Sequence, residues 1–114
     1  MKEEMIPVLA KAVWWAEREA AKGPELSNWD QSSVYTATDC GSRYCIAGWI
    51  VSTHLGTEDP YVGMNKNHVG ITGAMSYARD LLGLTRDEEE QLFSSDLSIG
   101  QIRANAETIA GRSL

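Results

Sequence analysis

The chain has 114 residues, 43% hydrophobic, 23% charged and 8% aromatic, a composition and length that fit one globular domain over 1–114, large enough to bury a core without a disulfide or metal staple. Sixteen acidic residues against ten basic ones give a formal net charge of −6, and because the basic residues are scattered singly, nucleic acid is an unfavoured partner. No run of about 18 apolar residues occurs and Met1–Ala21 lacks the apolar stretch of a signal peptide, so a cytoplasmic protein with no membrane partner is expected.

From Glu3 to Lys22, apolar or small residues recur at Ile6, Leu9, Val13, Ala16 and Ala20, the period of an amphipathic helix. Pro7 fits such a helix only in its first turn, and Gly23-Pro24 ends it. Trp14 and Trp15 would point about 100° apart, so both reach one apolar face only if one sits at its edge. Glu25–Tyr44, rich in Ser, Thr, Asn, Asp and Gly, is expected to be irregular, with a short extended stretch at Ser33–Thr36 and Trp29 pinning it to the core.

Tyr44–Leu55 is apolar nearly all the way round, which predicts a central helix ended by Gly56. Ala47 and Gly48 are expected to admit a close helix crossing. Thr57–Gly73 has the composition of a second loop, carrying His68, and a helical pattern returns over Ala74–Leu84. Thr85-Arg86-Asp87-Glu88 and Ser98-Ile99-Gly100-Gln101 both match the capping box, opening helices over Arg86–Ser94 and Ile99–Gly111. The prediction is an all-α fold of about five helices with two long irregular loops.

Asp39-Cys40-Gly41-Ser42-Arg43-Tyr44-Cys45 is the first place to look for chemistry. Cys45 at a helix start could have a lowered thiol pKa, which makes a cysteine-dependent hydrolase one alternative. A papain-type signature would need closer cysteines and an aromatic residue where Ile46 stands. The pairing of Asp39-Cys40 with His68-Val69-Gly70-Ile71 is similar to a cysteine-type cell-wall peptidase, but too few residues separate the two for the sheet that fold needs. For a metal site, Cys45 and His54 would stand on opposite faces of one helix, separated by about 13.5 Å along its axis. No metal, cofactor or catalytic residue is therefore assigned.

The two C-terminal helices raise a second alternative, a DNA-binding regulator of helix-turn-helix type. Its recognition helix would offer only Gln101, Arg103, Asn105 and Arg112. Of the four tryptophans, Trp29 and Trp49 are expected in the core, leaving Trp14 and Trp15 as candidate binding residues.

Three blocks taken together, Leu26-Ser27-Asn28-Trp29, Cys40-Gly41-Ser42-Arg43-Tyr44-Cys45-Ile46-Ala47-Gly48-Trp49 and Leu81-Leu82-Gly83-Leu84-Thr85 with Leu92-Phe93 beyond, resemble a family of small uncharacterised proteins from bacteriophages and bacteria. Ser42 stands where that family usually has Thr, and a Trp-Pro element expected after Leu-Phe is missing. The resemblance implies a compact helical domain in a phage or bacterial cytoplasmic setting, and it implies no reaction. The block also makes sense as structure, with Gly41 at φ > 0 and Cys40 and Cys45 packed as small hydrophobes. The expected function is that of a phage-type accessory protein binding a host protein, its acidic surface matched to a basic one.

Overall fold

The computed structural model describes residues 1–38, 41–61 and 70–114, and five α-helices and one small hairpin lie among them. After a 3-10 turn at Glu3–Met5, α1 spans Ile6–Ala20, with Pro7 in its first turn, where a missing N–H costs nothing. Its buried stripe is Ile6, Leu9, Ala10, Ala12, Val13, Ala16 and Glu19. The chain turns away at Gly23, whose φ is 88°.

The segment that follows is more ordered than its composition predicts. Tyr44 N–H donates to the Asn28 carbonyl and Asp30 N–H to the Tyr44 carbonyl, both at 2.8 Å, forming a parallel bridge between Trp29 and Tyr44. Strands β1 (Thr36–Thr38) and β2 (Gly41–Arg43) then pair antiparallel, Thr36 opposite Arg43. The extended stretch expected at Ser33–Thr36 thus lies further along and has a partner. Two strands of three residues are too short and too polar to show a period of two.

Helix α2 (Ile46–Leu55) buries Ile46, Ala47, Gly48, Ile50, Val51 and Ser52 and lies between α1 and α3, touching α4 as well. It is the middle of the molecule, as its all-round apolarity predicts, and each fully buried Ile or Val contributes about 1.5–3 kcal/mol. Gly56 ends it in the left-handed conformation, φ 70°. The close approach at Gly48 is not a helix crossing, however. A Cβ built there would lie 1.9 Å from the Val34 carbonyl oxygen, so the glycine makes room for the backbone of the segment leading into β1.

Helix α3 (Gly70–Leu82) starts ahead of the predicted Ala74, in a stretch whose Gly and Thr residues mask the helical period. It stops at Gly83, φ 72°. Helices α4 (Arg86–Phe93) and α5 (Ile99–Ala110) both begin with the complete capping box foreseen, Thr85 with Glu88 and Ser98 with Gln101. Helix α5 packs on α1 and α4. Leu9, Val13, Ile46, Ile50, Leu82, Leu92, Phe93 and Ile102 are the large side chains of the shared core.

Trp29 and Trp49 are only partly buried, at the margin of that core rather than inside it. Aliphatic side chains from all five helices, with Phe93, fill the centre, which leaves the flat indoles to cover its edge.

Candidate functional site

Cys45 caps α2. Its Sγ accepts the Gly48 N–H at 3.5 Å, its own N–H donates to the Ser33 carbonyl at 2.6 Å, and the residue is 1% exposed. Burial pushes the thiol pKa up, outweighing the helix N–H groups that would lower it. The alternative of an activated thiol at the helix start thereby loses its support. Cys40 and His68 lie outside the described residues. Gly41, expected at φ > 0, is a strand residue of β2 opposite Thr38. Among the described residues no three His, Cys, Asp or Glu side chains gather around a possible metal position.

Gln31 and Glu19 hold the irregular segment in place. The Gln31 amide donates to the Leu92 and Ser94 carbonyls at 3.0 and 3.1 Å, and its Oε1 accepts from the Trp29 indole at 3.2 Å and the Ile46 N–H at 3.3 Å. One buried amide thereby ties the start of α2 to the end of α4. Glu19 accepts from the Asn28 N–H at 2.9 Å and from Lys22 at 2.6 Å. Burial raises its pKa, but the hydrogen bonds from Lys22 and Asn28 and the nearby positive charge bring it below the ordinary value. Neither residue carries a sequence signal, because each partner set exists only after folding.

The aromatic residues divide according to the turn of α1. Trp15 faces α2 and stacks on Trp49, ring centroids 5.2 Å apart and planes at 16°, with Tyr44 edge-on at 6.3 Å and Tyr35 beyond it. Trp14, one residue earlier, is 45% exposed, and its indole N–H donates to the Leu114 carbonyl at 3.0 Å. Lys11 and Arg18, three residues before and four after, share its face and are exposed. Lys11, Trp14, Arg18 and Trp49 line a shallow pocket of about 280 Å³. No ion pair among the described residues engages Lys11 or Arg18, whereas Lys22, Arg79, Arg103 and Arg112 are all paired.

The side chains a recognition helix would use are occupied within the chain. Arg103 grips both Glu17 oxygens, at 2.6 and 2.7 Å, and reaches Glu107 at 3.4 Å. Arg112 pairs with Glu3, Asn105 donates to the Gln91 carbonyl at 2.8 Å, and Gln101 closes its capping box. A larger open groove of about 970 Å³ runs between α3, α4 and α5, with Met75, Phe93 and Leu97 on its wall and both signs of charge around it. There Arg79 and Glu89 approach to 3.6 Å.

No family model, curated protein or solved structure matches the chain. No helix among the described residues is long and apolar enough to cross a membrane.

Proposed function

We propose that this chain is a small accessory protein of phage type that acts by binding a host protein through the α1 face centred on Trp14, without catalysing a reaction. The observation that carries the reading is the exposure of Trp14 between Lys11 and Arg18, beside the Trp15–Trp49 stack. A large aromatic side chain held rigidly at the surface by a packed helix is the kind of residue that dominates binding energy when a partner covers it. The buried Cys45 thiol and the engaged side chains of α5 favour this reading over a cysteine hydrolase and a DNA-binding regulator. The resemblance of the Cys40–Trp49 block to phage and bacterial proteins supports a bacterial cytoplasmic setting.

The test is a photo-crosslinking amino acid at position 14, irradiated in bacterial lysate. One stoichiometric adduct, suppressed by excess wild-type protein and not by the Trp14→Ala variant, is expected. Adducts no different from those of a probe placed at exposed Gly100 would overturn the reading.

A further inference from the structure

We propose that the Lys11, Trp14 and Arg18 face receives an acidic segment of a protein partner, with one apolar side chain of that segment seated between Trp14 and Trp49; this rests on the binding reading above.

The sign of the face is opposite to that of the whole chain. Net charge is −6, yet the pocket lining contains two cations and no acid. Among the acidic groups beside it, Glu17 is held by Arg103, Glu19 by Lys22 and Asn28 with the Arg18 charge also acting on it, and the Leu114 oxygen by the Trp14 indole. At physiological ionic strength the screening length is about 8 Å, so at contact distance a partner meets the local charges of Lys11 and Arg18 rather than the net charge of the chain. The expectation of a basic partner, drawn from net charge, is therefore reversed at this face.

Size and spacing define the occupant further. A pocket of about 280 Å³ lies at the lower edge of the roughly 300–1,000 Å³ that small-molecule sites require, and its open, shallow form suits a single inserted side chain. Lys11 and Arg18 are two helical turns apart, about 10 Å along the axis. That distance matches carboxylates three residues apart on a polyproline-II segment, which rises about 3.1 Å per residue and returns to the same face every third residue, flanking the inserted apolar residue. Nucleic acid is the less favoured occupant, since two cations neutralise too few phosphates to hold a strand on an acidic protein.

The experiment titrates the full chain with a fluorescein-labelled peptide of repeated Glu-Leu-Pro triplets, which sets a carboxylate at every third residue of a polyproline-II chain, following the peptide's anisotropy and the Trp14 indole N–H resonance. A Lys-for-Glu peptide and a short oligothymidylate serve as comparisons. The acidic peptide is expected to bind best, to shift the Trp14 resonance, and to weaken with added salt. Lys11→Glu/Arg18→Glu should weaken it about tenfold or more, with circular dichroism unchanged because both sites are exposed. Equal or tighter binding of the Lys peptide or the oligothymidylate, or undiminished binding by the double variant, would overturn the proposal. A crosslinked partner at position 14 that Lys11→Glu/Arg18→Glu retains would overturn it too while leaving the binding reading intact, whereas the absence of any specific adduct removes the binding reading itself.

Discussion

The Val34 carbonyl oxygen occupies the space where a side chain at Gly48 would begin, 1.9 Å from an ideal Cβ. Because the obstacle is backbone, held by the adjacent Cys45 to Ser33 hydrogen bond, it cannot move aside as a flexible side chain would. Gly48→Ala is expected to cost about 3 kcal/mol or more despite the better helix propensity of Ala. Urea denaturation measures this, and a loss below about 1 kcal/mol would mean that the segment around Val34 yields easily.

Gln31 satisfies four groups on three parts of the chain from one buried amide. Replacing it with Leu keeps most of the volume and strands those partners, so a loss of about 2–4 kcal/mol is expected. Faster hydrogen exchange at the Ile46 amide would locate the damage.

The neighbouring tryptophans should differ sharply. Trp15→Ala removes a stacked ring from the α1–α2 seam and is expected to cost about 3 kcal/mol. Trp14→Ala gives up a ring of which nearly half is in water and one hydrogen bond to Leu114, about 1–2 kcal/mol. Thermal melts of the two variants give the comparison directly, and equal losses would remove the distinction between a structural and an exposed indole.

Cys45 should be slow to alkylate. In a Cys40→Ser background, iodoacetamide at neutral pH is expected to label it only as urea unfolds the chain, since burial both shields the sulfur and raises its pKa. Rapid labelling of the folded protein would restore the reactive-thiol reading.

Two carboxylates tie stability to acid pH. The hydrogen bond and charge of Arg103 lower the Glu17 pKa against the opposing effect of burial, and the Glu19 pKa is lowered as described above. A depressed folded-state pKa contributes stability fully present above the unfolded value, near 4.5, and lost as pH falls through the folded one. The urea midpoint is therefore expected to drop as pH falls below about 5, and less steeply in Glu17→Gln and Glu19→Gln. Because Glu17 is partly exposed, its replacement at pH 7 should cost only about 0.5–1 kcal/mol. Parallel pH profiles for wild type and both variants would contradict the assignment.

Local signals in the chain determined the helical class of the fold and most helix ends. Pro7, Gly23, Gly56 and the Thr85 and Ser98 capping boxes act through hydrogen bonds and dihedral limits within a few residues, so they stand in the structure where the sequence places them. The all-round apolarity of Ile46–Leu55 likewise marked the central helix. Tertiary structure decided the rest. Whether Cys45 is activated or silenced depends on what covers it, and the covering segment comes from Ser33 and Val34. Which of two adjacent tryptophans faces water depends on where α2 lies, and the paired state of Arg103 depends on Glu17, far away in the chain. The polar hairpin and the bonds of Gln31 and Glu19 join residues whose proximity no local period encodes. The cationic character of the Trp14 face was hidden in the same way, because net charge averages over a surface that folding sorts into regions of opposite sign.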